Sequence, residues 1–235
     1  TLSLCNSITD VSALGNVHTL TIMYCNNVTD VSELGNVHTL YLNCPNITDV
    51  SALGNVYKLH LSCSNVTDVS ALGNVYVLII ERCRNIRDVS ALGNVHTLNL
   101  YECRNITNVS ALGNVYALRI GKCNGITDVS GLGNVHKLHI YDCNSIEDVS
   151  ALGNVHTLKL SGCGWIRDVS ALGNVHTLYL ERCAWIIDVS ALGNVHILNL
   201  SLCSIIDVSA LGNVHELKLA CCDNITDVSA LGNVQ

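Results

Sequence analysis

Apolar residues return along this chain at regular short intervals. Between Val95 and Asn114 they are Val95, Leu98, Leu100, Cys103, Ile106, Val109 and Leu112. The alternation Leu98-Asn99-Leu100 predicts a short strand. Ile106, Val109 and Leu112 carry the apolar side around the rest of a coil. In the preceding copy, Asp88-Val89-Ser90-Ala91-Leu92-Gly93 predicts how the outer side turns. Asp and Ser favour turns and helix starts, and Ala-Leu permits one helical or 3₁₀ turn. Gly93 is expected to end that turn at positive φ.

The same wording recurs through the whole chain. Gly-Asn-Val occurs twelve times, from Gly15 to Gly232, with eight intervals of 20 residues and three of 19. No linker or shift in composition interrupts the series, so residues 1–235 read as a single solenoid. Each copy places seven apolar residues in about twenty on one side. One copy cannot bury that side alone, whereas stacked copies bury it against each other, at ~4.8 Å per parallel strand.

The pattern Val-x-x-Leu-x-Leu-x-x-Cys-x-x-Ile resembles the leucine-rich-repeat signature with Cys at its Asn/Cys position. Its continuation, Ile-Thr-Asp-Val-Ser-Ala-Leu, is similar to the internalin-type subclass. The chain departs from that subclass in repeats about two residues shorter, in Ala for Pro, and in lacking caps. The resemblance implies an α/β-type solenoid of twelve units, with a parallel sheet on one face and short turns or 3₁₀ segments on the other. Short outer segments imply gentle curvature. The family also implies ligand binding through the sheet face or its edges, with no shared catalytic activity. Near-identical tandem arrays resemble, more faintly, repeat proteins of large DNA viruses, which would make the chain virion-associated.

Charge adds a constraint on partners. Twelve Lys and Arg stand against nineteen Asp and Glu, a formal charge of -7, and eleven of those acids are the one repeated Asp. No basic stripe is visible, which argues against nucleic acid. No apolar run approaches the ~18 residues of a membrane span. Thr1 starts inside a strand, with no secretory leader before it, and neither end looks capped. The chain therefore reads as an excerpt or an uncapped array, with end-to-end homo-oligomers as one consequence.

Comparison of the copies with one another separates constant from variable columns. Val-Ser follows Asp in every copy but one, where Asn108 replaces the Asp. The residue between the two strand Leu/Ile positions varies freely, as does the next outward position. Strand alternation sends both to the solvent face of the sheet. Either these positions drift because they are exposed, or the face has diversified for recognition. The recognition strip would be Arg119, His139, Lys159 and Tyr179, flanked by Tyr101, Tyr141 and Glu181. A second patch follows the Cys, on a loop edge where copies also differ in length. There Trp165 and Trp185 hold equivalent positions, with Arg82, Arg84, Arg104, Arg167 and Arg182 on or near the same edge. Exposed Trp beside Arg has the composition of a binding hot spot, or else forms a self-contained stack.

Twelve of the thirteen Cys share one column, and Cys221 is the extra one. The column reads as buried free thiols; metal binding and disulfides are the lesser alternatives. Unpaired thiols in that number point to a reducing, intracellular compartment. His follows Gly-Asn-Val in eight copies and Tyr in three, a pattern expected of a surface packing ladder. Metal between neighbouring imidazoles is the alternative, and acid would drive such a ladder apart. The Asn of Gly-Asn-Val is expected to bond backbone groups of adjoining coils. No phosphate loop or nucleophile elbow appears, so neither an enzyme nor a cofactor is expected. The expected role is a scaffold that binds a protein partner, or a structural element built by self-association.

Overall fold

The computed structural model describes every residue except Asn233 and Gln235. Among the described residues twelve strands form a parallel sheet whose order follows the chain. The chain divides into two compact units, Thr1–Arg119 and Ile120–Gln235. In the first lie β1 (Leu2–Ser3), β2 (Thr19–Met23), β3 (Thr39–Asn43), β4 (Lys58–Leu61), β5 (Val77–Glu81) and β6 (Thr97–Tyr101). Strand β7 (Ala117–Gly121) spans the division. The second unit holds β8 (Lys137–Tyr141), β9 (Thr157–Ser161), β10 (Thr177–Glu181), β11 (Ile197–Asn199) and β12 (Glu216–Lys218).

Register follows the repeat. In the first unit Leu78 pairs with Leu98 and Ile80 with Leu100. In the second, Leu158 pairs with Leu178 and Leu160 with Leu180. Each apolar column thereby becomes a ladder running from coil to coil. All seven apolar residues of the unit Val95–Asn114 are buried, none more than 1% exposed. The expected strand at Leu98–Leu100 is observed as β6. The outer turn is 3₁₀, as at Ser90–Asn94 in the first unit and Ser150–Asn154 in the second.

Two local expectations fail, each for a packing reason. The glycine that closes the outer turn does not take positive φ; Gly15 sits at φ -59° and Gly173 at -62°. Gly93 is needed because a β-carbon there would collide with the carbonyl oxygen of Ala111 in the next coil. Positive φ occurs instead just before the Cys, on Leu4, Tyr24, Arg82, Glu102, Lys122, Asp142, Arg182, Leu202 and Cys221, with Gly162 the one glycine among them. The second failure concerns Asn. Asn36, in Gly-Asn-Val, is exposed. The bonds between coils come from another Asn column, two residues after the Cys.

Candidate binding surfaces

That second Asn column explains the loop edge. In the first unit the side-chain amides of Asn27 and Asn46 donate to the carbonyls of Asn6 and Asn26, both at 2.6 Å. Asn65, Asn85 and Asn105 do the same to Pro45, Ser64 and Arg84, at 2.8, 3.0 and 2.6 Å. In the second unit Ser145 Oγ donates to the Asn124 carbonyl at 2.8 Å. Trp165 and Trp185 occupy this same column. An indole N–H on a bulky ring replaces a clasp worth ~1 kcal/mol, and both rings stand more than half exposed, at 51% and 57%.

A second column departs from its commonest residue in these and the next coil. The residue just before the repeated Asp is Thr in seven copies and Arg87 or Glu147 in two others, and it is Arg167, Ile187 and Ile206 in three successive coils. Ile187 and Ile206 are 62% and 60% exposed, and Leu202, at positive φ, is 51% exposed. The guanidinium of Arg167 lies 5.1 Å from the Trp185 ring centre. Arg182 is exposed at the strand exit. The sequence pointed to Trp165, Arg167, Trp185 and Arg182, and all four fall on the loop edge of the second unit. The aliphatic part, Ile187, Leu202 and Ile206, is not among the residues the sequence reading singles out, although at Ile187 and Ile206 the departure from Thr is a visible signal.

The other loop-edge arginines belong to the first unit. Arg82 Nε lies 3.2 Å from Glu102 Oε2, and this contact, foremost, raises the Arg82 pKa above its ordinary value. Arg84 and Arg104 are exposed, with Arg84 also lending its carbonyl to Asn105. Among the described residues no exposed large hydrophobic side chain lies in the loops of these three, as it does beside the Trp pair.

The sheet-face candidates engage one another. In the second unit the Lys159 ammonium sits 4.2 Å from the Tyr179 ring centre, a cation–π contact. Glu181 Oε1 accepts from Asn199 Nδ2 at 2.6 Å, and Asn199 is buried rather than facing solvent freely. His139 and Tyr141 meet with ring centres 5.0 Å apart. Tyr141 in turn covers Gly121, which has no side chain to obstruct the ring. In the first unit Arg119 is exposed and Tyr101 half-buried, while His60 Nε2 meets Glu81 Oε2 at 3.1 Å.

The constant columns serve the scaffold. Asp88 Oδ1 accepts the Ser90 backbone N–H at 2.8 Å, and Asn108 does the same for Ser110 at 2.9 Å. This bond and the Ser hydroxyl hold Asp88 below the usual carboxylate pKa, as equivalent bonds hold Asp168, Asp188 and Asp207. The shallow clefts of the outer face are lined by Asp and Ser of successive coils, with Thr67 in one and Glu147 in another, and each of these Asp carboxylates accepts a Ser N–H. Rings after Gly-Asn-Val stack at 4.4 Å between Tyr76 and His96, and at 4.7 Å between His136 and His156. In the Cys column, Cys103 Sγ donates to Ile80 at 3.6 Å and Cys163 Sγ to Ile140 at 3.8 Å. Burial pushes the Cys83 and Cys163 thiols up to about 12. Among the described residues no group of three His, Cys, Asp or Glu is arranged to hold a metal ion. No helix among them is long and apolar enough to cross a membrane.

Known structures share this architecture. An internalin (InlF) from Listeria monocytogenes is similar over 97% of this chain and 76% of its own, with TM-score 0.60 and 24% identity. The fold is a leucine-rich-repeat solenoid. The functional domain of InlJ from Listeria monocytogenes, described as including a cysteine ladder, matches over 96% of this chain and 58% of its own, with TM-score 0.52 and 21% identity. TLR13, solved in complex with ssRNA13, matches over 89% of this chain and 40% of its own, with TM-score 0.56 and 17% identity. No family model matches the sequence, and neither does any curated protein. At these identities the likeness concerns the fold alone, and it lends nothing to the viral resemblance.

Proposed function

We propose that this chain is a non-catalytic scaffold that binds a protein partner, chiefly through the loop edge of the second unit. One observation carries the reading. At Trp165 and Trp185 the coils give up an amide clasp used elsewhere and expose an indole instead. Neighbouring Ile187 and Ile206 replace exposed Thr with exposed aliphatic side chains. A surface that departs from its own stabilising pattern in favour of accessible apolar area fits recognition better than drift. The sheet face, with Lys159, Tyr179, Glu181 and Asn199 held in place by mutual contacts, offers a preorganised second surface. The uniform columns supply rigidity, and their carboxylates, tied to Ser, are not free for catalysis. The long column of thiols suits a reducing compartment.

A photo-crosslinker introduced at position 187 tests this reading. Expected is a discrete adduct with one partner protein that disappears in Trp165→Asn/Trp185→Asn. Sedimentation velocity across concentration covers self-association. An adduct consisting only of a second copy, with concentration-dependent mass, would replace the partner by a homo-oligomer. No adduct would reject the edge.

A further inference from the structure

The loop edge has a chemical polarity that restricts its partner. From the Cys outward, the second-unit coils read Trp185, Ile187, Asp188 and, in the next coil, Ile206, Asp207; the preceding coil supplies Trp165 and Asp168, with Arg167 between them turned onto the Trp185 ring. Ile186, Ile205 and Val189 point into the core, which leaves the Trp and Ile side chains and then the Asp column exposed side by side. The carboxylates recur once per coil, ~4.8 Å apart along the stack. Each accepts the backbone N–H of the Ser two residues on, as in the 2.8 Å bond from Ser170 to Asp168. Arg182 marks the opposite, strand-side border. An apolar band thus runs with a line of negative charge along its outer-turn side.

We propose that the Trp165–Trp185–Ile187–Ile206 edge docks an amphipathic segment of a partner protein. The apolar side chains of that segment are flanked by Lys or Arg aligned with Asp168, Asp188 and Asp207. This rests on the binding reading above and adds the partner's chemistry to it. Apolar contact supplies the attachment, and the charged row sets orientation and discriminates against acidic segments. The protein's formal charge of -7 likewise favours a positively charged partner over longer range.

The only two tryptophans of the chain lie in this edge, so fluorescence excited selectively in tryptophan, beyond the absorption of the eight tyrosines, reports on it alone. The probes are Trp-free 18-residue amphipathic peptides, one of Leu and Lys and one of Leu and Glu at the same spacing. Expected is a saturable blue shift with the Leu/Lys peptide, at least tenfold tighter than with the Leu/Glu peptide and weakened by salt. The triple variant Asp168→Asn/Asp188→Asn/Asp207→Asn should lower Leu/Lys affinity about tenfold. It keeps the fold, because Asn108 already makes the same bond to Ser110. With labelled peptide, Trp165→Asn/Trp185→Asn should abolish binding while restoring the residue type used by other coils. Equal or tighter binding of the Leu/Glu peptide, or an unaffected triple variant, overturns the partner's chemistry and leaves the edge as a binding site. Absence of binding by either peptide, or binding that survives the Trp substitutions, overturns both. A blue shift produced by phosphatidylcholine vesicles and not reversed by peptide would make the edge a membrane dock and overturn the proposal.

Discussion

Gly93 lies directly against the main-chain carbonyl of Ala111, one coil further on, so closely that a β-carbon has no room. The same approach recurs along both units, as at Gly54 on Ala71 and at Gly173 on Ala191. Close coil spacing, rather than left-handed backbone, makes this column glycine. Gly93→Ala should therefore destabilise by about 2 kcal/mol through forced backbone displacement. Gly93→Asn should be at least as costly. At a positive-φ position Asn would be the milder change, so urea unfolding of the two variants separates the explanations.

Left-handed backbone is placed one step before the Cys, mostly on residues with side chains. Tyr24 has φ 56° and is 51% exposed. An L-residue there carries roughly 1–2 kcal/mol of local strain. Tyr24→Gly should thus raise stability by about 0.5–1 kcal/mol after the greater chain entropy of glycine is subtracted. Gly162→Ala should do the reverse, since φ is 64° and a β-carbon would press on the Asp142 carboxylate. Unchanged denaturation midpoints in both variants would sink this account.

These two columns show what the sequence could and could not disclose. Period and strand alternation exposed the coil, the 3₁₀ turn and all seven buried positions between Val95 and Asn114, because burial acts on residue type. Glycine is ambiguous by nature: freedom in φ and absence of bulk leave the same letter, and only the neighbouring carbonyl distinguishes them. No residue preference marked Tyr24 or Arg82 as left-handed. Contacts between coils were equally hidden. Lys159 on Tyr179, Asn199 on Glu181 and Asn105 on the Arg84 carbonyl depend on register and rotamer, which a column of letters does not contain. Trp165 and Trp185 stood out because they break a pattern; Ile187 and Ile206 broke one as well, but look like ordinary core residues when read singly.

The Asp column predicts acid sensitivity. Backbone and hydroxyl bonds from Ser hold Asp88, Asp128 and Asp168 below the ordinary value of 3.8. A depressed folded-state pKa means that the stabilisation is present above 3.8 and is lost as pH falls through the lower, folded values. Melting temperature should therefore decline below pH 4. Asp88→Asn, Asp128→Asn and Asp168→Asn together should leave the melting temperature near pH 7 little changed, because Asn108 makes the same bond. They should also flatten the acid limb. A variant with an unchanged acid limb would remove the carboxylates as its cause.

The thiol ladder predicts the opposite limb. Burial, above all other influences, lifts Cys63, Cys83, Cys143, Cys163 and Cys183 from 9.0 to about 12 and Cys203 to about 11. Unfolding returns these groups to water, where they ionise near 9.0. Their raised folded-state values mean that stability is intact below pH 9 and erodes as pH climbs toward 12. The limit is about 1.4 kcal/mol per pH unit for each thiol. Exposed Cys221 and the partly exposed Cys5 and Cys222 do not share this protection. At pH 8 a thiol-specific reagent should modify Cys221 first and the ten buried ladder thiols only at the rate of unfolding. Cys163→Ala and Cys183→Ala should soften the alkaline loss while lowering stability at neutral pH by about 1 kcal/mol each through lost packing. Modification of the ladder as fast as Cys221 in folded protein would show that these thiols are not buried.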